Sequence, residues 1–258
     1  MGLSLPGLFD RLSRQMSTTV KTHTEGLSEA AQSALMNRMF EVGAHFGYSK
    51  SRRHPTMAPF IFGVKNRTEI FDLEKTSNLL HEAKAYMEAL GREGKVVLFV
   101  GGKHEAQESV RRVAESLGMP YVASRWLGGT LTNFSEIKKR LERLELLRSQ
   151  RESGELEKKY TKKERLLIDR EITRLEDSFG GIAAMRSLPQ AVIVVDTKQE
   201  AIVVKEADSA HIPVVGIMSS DCSREKVTVS VVGNDATQAS IAFFLGELAE
   251  SYQKGKAK

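Results

Sequence analysis

The chain has 258 residues, of which 41% are hydrophobic and 28% are charged, a composition typical of a folded protein and not of a disordered or fibrous one. Its 38 Lys and Arg against 33 Asp and Glu give a formal net charge of +5, which favours a polyanionic partner without proving one. The single cysteine, Cys222, excludes an intramolecular disulfide framework and a multi-cysteine zinc site. No apolar run approaches the length of a membrane-spanning helix, so no membrane span is predicted.

The N-terminus raises a question of targeting. Residues 1–24 carry three basic side chains, several Ser and Thr, and one opposing acid, Asp10. A transit peptide has this composition, and so has a flexible or helical extension, which we favour. We assign residues 1–35 to an N-terminal extension, with helical spacing beginning at Glu29 and continuing to Val42.

The next segment, residues 43–67, is called the basic segment below. It contains no Asp or Glu, and Pro55 and Pro59 exclude a continuous helix. We expect irregular structure that leads into a short strand at residues 68–71. Basic side chains beside aromatic rings are typical of RNA recognition. The cations are Lys50, Arg52, Arg53, Lys65 and Arg67, and the interleaved aromatics are Phe46, Tyr48, Phe60 and Phe62.

Two histidines, His45 and His54, lie nine residues apart in the basic segment. Their neighbours are cations, with no carboxylate nearby to offset a metal ion, so we predict no metal site. We group His54 with the RNA-binding candidates.

Strand and helix patterns then alternate along the chain. Strands that read as continuous apolar runs between helices predict a parallel sheet covered on both faces, in a doubly wound α/β domain. The predicted strands are 95–100, 121–123, 191–195, 212–217 and 227–231, and the predicted helices are 73–91, 105–117, 201–210 and 235–252.

Residues 134–179 interrupt this alternation. Apolar residues recur every three or four positions on both sides of Gly154, which predicts an antiparallel helical hairpin inserted into the domain as a coiled-coil arm. Two ordinary surface helices are the alternative. The α/β domain then comprises residues 36–133 and 180–252, and residues 253–258 form a basic tail.

Gly101, Gly102 and Lys103 lie where a strand gives way to a helix, a position that binds phosphate in many α/β folds. Their spacing fits neither common glycine-rich nucleotide motif. We therefore favour a tight turn, with Lys103 available to a phosphate of a larger polyanion. No H-E-x-x-H or G-x-S-x-G motif occurs, and no catalytic constellation is predicted. The alternative is a flavodoxin-like enzyme or nucleotide-binding protein that uses this turn.

A second candidate patch spans residues 124–134. It combines Arg125 and Asn133 with a flexible double glycine and the only tryptophan, Trp126. On composition alone, Trp126 belongs to the core.

Several long strings resemble the family of the second protein of the bacterial small ribosomal subunit. The resemblance covers about residues 36–250, in the right order and with consistent spacing. The strings are GAHFGYSKSRRHPTMAPFIFGVKNRTEIFDLEKT, RWLGGTLTNF, LEDSFGGIAAM followed by LPQAVIVVD, EAIVVKEADSAHIPVVGI and GND.

The resemblance implies a flavodoxin-like parallel sheet with a protruding helical hairpin, no enzymatic activity and no cofactor or metal. It implies binding to 16S ribosomal RNA between head and body of the subunit, contact with neighbouring ribosomal proteins, and recruitment of the large mRNA-capturing protein where an organism has one. A ribosome-bound protein of the bacterial cytoplasm is expected, and an organellar ribosome is the lesser alternative.

The resemblance also implies residue roles. The cations of the basic segment match the family's RNA-facing motif, and Arg125 and Asn133 fall in its second signature, so these residues are expected to contact RNA. From their own positions in the sequence, His54 and Lys103 are added to the expected RNA contacts. Phe46, Tyr48 and Trp126 are expected to stack or to anchor loops. Tyr48 stands where histidine is common and Thr56 where lysine is common, so we expect the local contacts to rely more on stacking. Residues 219–228 lack the Asp-Pro often found there, and Val232 stands where proline is usual, which leaves the conformation of residues 219–233 open.

Overall fold

The computed structural model describes residues 29–257. Helix α1 spans Glu29–Glu41, which confirms the helix expected from Glu29 to Val42. Its residues 29–35 belong to the stretch that we assigned to the extension. Residues 1–28 of that predicted extension lie outside the described residues. Met39 of α1 is buried in the main core, which explains why the helix is ordered before the α/β domain begins.

The basic segment, which we expected to be irregular, contributes two strands to a small antiparallel sheet. Its strands are β1 (Phe46–Ser49), β2 (Ile61–Lys65) and β3 (Thr68–Phe71), in the order β1-β3-β2. Two short 3-10 helices, Lys50–Arg52 and Pro55–Phe60, connect β1 to β2. Strands of four or five residues are too short to show a clear period of two, and for that reason the sequence prediction missed two of them.

The α/β class is confirmed by a five-stranded parallel sheet. Its strands are β4 (Val97–Val100), β5 (Tyr121–Val122), β6 (Ala191–Val195), β7 (Val214–Met218) and β8 (Val229–Val232), in the order β5-β4-β6-β7-β8. The order reverses direction between β4 and β6, so the sheet has a topological switch point there.

Helices cover both faces of this sheet. Alternate strand residues such as Phe99 and Ile193 share one core with α2 (Leu73–Arg92), α3 (His104–Leu117) and α8 (Gln238–Lys256). Leu98 and Val192 point to the opposite core, which includes α7 (Ala201–Ser209). This two-sided burial is the reason that the strands read as unbroken apolar runs. Helix α8 also continues through residues 253–256, which we had assigned to a basic tail.

The predicted hairpin region contains two long helices, α4 (Phe134–Glu152) and α6 (Lys162–Phe179), with a short helix α5 (Glu155–Lys159) between them. Leu144, Leu147 and Ile172 form a separate small core between the long helices. Arg143 pairs with Glu171 across them. The short helix was not predicted, and the description of this region as a coiled-coil arm stays a prediction.

Candidate nucleic-acid interface

The turn between β2 and β3 presents two cations to solvent. Asn66 and Arg67 occupy its two central positions, with φ angles of +51° and +66°, as a hairpin turn that matches the strand twist requires. Lys65 and Arg67 are both exposed. Within the described residues neither side chain forms an ion pair, and the same holds for the exposed Lys50. These three cations are therefore free to meet phosphate.

The other two cations of the basic segment have acidic partners outside it, one in the adjacent strand β3 and one far along the chain. Arg53 Nη1 lies 3.2 Å from Oε1 of Glu69, a completely buried carboxylate. Arg52 Nη2 lies 3.7 Å from Asp221 Oδ2. The run without acids is therefore partly neutralised in the fold, and Arg53 acts first as the counter-ion of Glu69. Arg52 is more than half exposed and keeps donors for another partner.

His54 has a structural position at the start of the second 3-10 helix. Its backbone N–H donates to the Ser220 carbonyl at 2.8 Å, and its Nδ1 lies 2.8 Å from Thr56 Oγ1. The His54 ring also accepts from the Thr56 backbone N–H. These bonds fix the chain on the loop after β7, and the ring is only half-exposed.

Lys103 departs most from our expectation, because its side chain points into the protein. The ammonium donates to Asp196 Oδ2 at 3.2 Å, to Asp235 Oδ1 at 3.3 Å and to the Tyr48 hydroxyl at 3.1 Å. Only 13% of the side chain is exposed. Burial opposes its charge, but Asp235, the Tyr48 hydroxyl and Asp196 outweigh burial and raise the pKa of Lys103 above its usual value. A phosphate contact by Lys103 is therefore not supported.

The same cluster contains the cysteine. Three atoms that could bind a metal ion lie within 4.8 Å of one another: Cys222 Sγ and one carboxylate oxygen each from Asp196 and Asp235. Burial, with Asp235 and Asp196, raises the pKa of the Cys222 thiol to about 12. Because Lys103 already sits against both carboxylates, a divalent cation would have to displace the ammonium. The sequence could not reveal this cluster, since its members are far apart along the chain, with Lys103 and Asp235 separated by 132 residues.

The loop that precedes α4 is organised around one carboxylate of α7. Oε1 of the buried Glu206 accepts from Trp126 Nε1 at 3.2 Å and from Gly129 N at 2.7 Å. Its Oε2 accepts from Leu131 N at 3.0 Å. Convergent N–H donors hold an ionised carboxylate well. Trp126, 6% exposed, thus anchors the loop and is closed to base stacking.

The two polar candidates of this loop remain on the surface. Arg125 and Asn133 are both exposed, and Asn133 Oδ1 accepts from Ser135 Oγ at 3.3 Å. No ion pair involves Arg125 in the described part of the chain. Both side chains are therefore accessible at the surface.

The turn after β4 is closed to a nucleotide phosphate. The Gly102 N–H donates to Glu200 Oε1 at 3.1 Å, so a carboxylate takes the donor that would face a phosphate. Burial raises the pKa of Glu200, and its neighbour Asp196 adds to the rise. An anion-binding turn and a carboxylate directed at its amide are incompatible. The nucleotide-binding alternative loses its only motif.

Comparison with known proteins decides the family. The family model described as "Ribosomal protein S2" matches residues 39–255. The chain belongs to the ribosomal protein S2 family. It is 39% identical over 221 residues to the small ribosomal subunit protein uS2 of Nitratiruptor sp., covering 86% of this chain and 82% of that protein. It is also 39% identical over 223 residues to uS2 of Solidesulfovibrio magneticus, covering 86% of both chains.

Membership of the S2 family confirms the resemblance seen in the sequence. The chain is a structural constituent of the small ribosomal subunit, not an enzyme. It belongs in a ribosomal ribonucleoprotein with ribosomal RNA and other proteins. Among residues 29–257, no helix combines the length and apolarity needed to cross a membrane.

The predicted RNA-binding site left out one exposed aromatic side chain, that of Phe62. Phe62 lies in β2 with 81% of its surface exposed, and Phe46 of β1 is 46% exposed. Tyr48, by contrast, has its ring 4.5 Å from the Arg52 guanidinium carbon and its hydroxyl bonded to Lys103, so it acts inside the fold. The interleaving of aromatics with cations drew attention to all three residues, but it could not separate the exposed rings from the half-buried Tyr48 ring, which contacts other parts of the fold.

Proposed function

We propose that this protein binds 16S ribosomal RNA where head and body of the bacterial small subunit meet, through the exposed cations of the small sheet. The observation that carries the proposal is the pair Lys65 and Arg67, exposed at a tight turn with no counter-ion among residues 29–257. Lys50 and Arg52 extend this surface. Arg125 and Asn133 supply a second set of contacts, with Asn133 able to bond ribose or base edges.

The number of phosphate contacts predicts how strongly the RNA-binding constant depends on salt concentration. Each cation that neutralises a phosphate releases counter-ions, so the logarithm of the binding constant falls with the logarithm of salt concentration by about 0.7 to 0.9 per contact. Lys50, Lys65 and Arg67, which form no ion pair within the described part of the chain, should therefore account for about 2 to 3 of the total slope.

The test is filter binding of the purified full chain to 16S RNA over a series of salt concentrations. The triple variant Lys50→Met, Lys65→Met and Arg67→Met should bind more weakly and lower the slope by about 2 to 3. The control triple Lys95→Met, Lys226→Met and Lys254→Met removes the same charge from lysines that are each paired with a carboxylate. Equal slopes for the two triples would contradict the proposal.

Exposed aromatic surface favours a second role, docking of the large mRNA-capturing ribosomal protein. Phe62, Val64 and Phe46 are exposed on the small sheet, and Phe40 of α1 is 63% exposed with its ring stacked on His45. Exposed aromatic and aliphatic side chains of this kind mark protein interfaces. Phe62→Ser should weaken binding to that purified partner at least tenfold. RNA binding should be unchanged, and an unchanged partner affinity would exclude Phe62 from the interface.

A further inference from the structure

The parallel sheet of this protein gathers acid at one edge. Asp196, Asp221 and Asp235 follow β6, β7 and β8, at the carboxyl ends of three adjacent strands. Their exposed fractions are only 8%, 8% and 0%. Buried carboxylates in one place repel each other and lose hydration, so the fold must provide cations at this edge.

Two of those cations connect the edge to the small sheet. Lys103, in the turn after β4, contacts Asp196 and Asp235 and also the Tyr48 hydroxyl of β1. Arg52 lies over the Tyr48 ring and pairs with Asp221. Lys198 adds a contact to Asp221 at 2.9 Å from outside the small sheet. The Tyr48 side chain therefore stands between two cations that face the same acidic edge.

Backbone bonds and apolar packing complete the contact. Tyr48 N donates to Ser220 Oγ at 2.9 Å, and His54 N donates to the Ser220 carbonyl. Beneath these bonds, Met57 and Phe71 of the basic segment and β3 pack against a core that includes Cys222. Cys222 is fully buried, and the small sheet forms part of its cover.

We propose that Lys103 is a positioning residue for RNA binding: its ammonium, with Tyr48 and the carboxylates of Asp196 and Asp235, latches the small sheet onto the acidic edge of the parallel sheet. The inference rests on the proposed RNA surface. It assigns Lys103 a role different from that of Lys65 and Arg67, which would contact RNA directly. Lys103 influences RNA affinity only through the placement of the small sheet, which carries Lys65 and Arg67. Its own charge is satisfied inside the protein.

Two measurements separate a latch from a phosphate contact. The first is the rate at which a thiol reagent, dithionitrobenzoate, labels Cys222, the only cysteine. Because the thiol is buried and its pKa is about 12, labelling requires local opening of the small sheet. The second is the salt slope of 16S RNA binding, which counts phosphate contacts.

Lys103→Met should raise the labelling rate at least tenfold and weaken RNA binding without changing the salt slope. The control Lys65→Met should do the opposite, with normal labelling and a slope lowered by about 0.7 to 0.9. If Lys103→Met fails to fold, Tyr48→Phe removes only the hydroxyl and keeps the ring beside Arg52. It should also raise the labelling rate.

The latch would be overturned if Lys103→Met and Tyr48→Phe both labelled at the parent rate, or if Lys103→Met lowered the slope as Lys65→Met does. Labelling does not depend on RNA. Failure of the parent chain to bind 16S RNA would therefore reject the proposed RNA surface, while the labelling rates would still decide whether Lys103 holds the small sheet in place.

Discussion

An arginine at the tip of the β2–β3 turn occupies a backbone conformation that favours glycine. Arg67 has φ of +66°, and a left-handed conformation costs a non-glycine residue about 1 to 2 kcal/mol. Its side chain is exposed and forms no ion pair with the described residues. The pairing of Lys65 with Thr68 across the turn holds this conformation, and the arginine side chain adds no ion pair among the described residues that would offset the strain.

Arg67→Gly should therefore stabilise the isolated protein and weaken its RNA binding. We expect the free energy of unfolding to rise by about 0.5 to 1 kcal/mol, because relief of the strained backbone exceeds the added entropy of the unfolded chain. RNA affinity and the salt slope should both fall. Denaturant unfolding and filter binding measure the two effects.

Lys65→Gly is the matched control at the same turn. It also removes one positive charge, but residue 65 belongs to a strand and has no positive φ. Glycine in a strand weakens it, so this variant should lose both stability and affinity. If Lys65→Gly and Arg67→Gly changed stability equally, backbone strain at Arg67 would have no role.

Two glycines bring helices α2 and α8 into close contact across the main core. A Cβ at Gly91 would collide with the Tyr252 carbonyl oxygen, and one at Gly255 with the Glu88 carbonyl oxygen. Each glycine thus lies where the backbone of the other helix passes. Backbone atoms belong to rigid helices and cannot move aside as a flexible side chain would.

Gly91→Ala should destabilise the protein by about 2 to 3 kcal/mol, since it forces the two helices apart. Gly246→Ala in α8 is the control, because a Cβ there meets nothing within 4 Å. That substitution should stabilise by up to about 1 kcal/mol through helix propensity. Thermal unfolding followed by circular dichroism measures both, and a Gly91→Ala variant as stable as the parent would contradict the close packing.

The elements differ in how far the sequence predicts them. Strand β6, Ala191–Val195, is buried along its whole length, so its continuous apolar run correctly predicted a buried strand. Two strands of the small sheet, β1 and β2, escaped prediction because they are short and because the stability of the sheet comes from residues far along the chain. Phe71 packs on Met218 and Val232, and this contact leaves no local pattern. Periodicity records burial, not the identity of the partner.

The candidate RNA-binding cations fall into two groups, exposed ones and ones paired with carboxylates, and the sequence cannot separate them for the same reason. Lys65 and Arg67 are exposed as a basic, acid-free run suggests. Lys103 and Arg53 have carboxylate partners that only the fold brings near, and Lys103 is separated from Asp235 by 132 residues. A count of charges along the sequence cannot separate the two groups. Burial and pairing decide which cations remain available to RNA.

At the scale of the whole molecule, charge is distributed unevenly between surface and interior. The net charge is +5, yet the carboxyl edge of the sheet buries carboxylates at Asp196, Asp221 and Asp235. Burial raises the pKa of Asp235 to about 7, with Asp196 and Asp221 adding to the rise and Lys103 opposing it. Exposed cations therefore remain available to RNA, while the buried Asp235 side chain titrates near neutral pH.

This arrangement makes stability depend on pH in a predictable direction. An unfolded Asp loses its proton near pH 4, whereas folded Asp235 keeps its proton to about pH 7. The folded state binds more protons between these values, so the free energy of unfolding should fall as pH rises through this window. The Asp235→Asn variant cannot lose a proton at this position. Between pH 5 and 8 its free energy of unfolding should fall by less than that of the parent, and the difference should be on the order of 2 kcal/mol.

Denaturant unfolding of both proteins at several pH values measures the difference. Asp208→Asn is the control, because Asp208 is about half exposed and its pairing with Lys226 is at the surface, where ion pairs contribute little. Its pH profile should follow that of the parent. A parent profile parallel to that of Asp235→Asn would mean that Asp235 is already ionised below pH 5, with the Lys103 ammonium outweighing both burial and the neighbouring carboxylates.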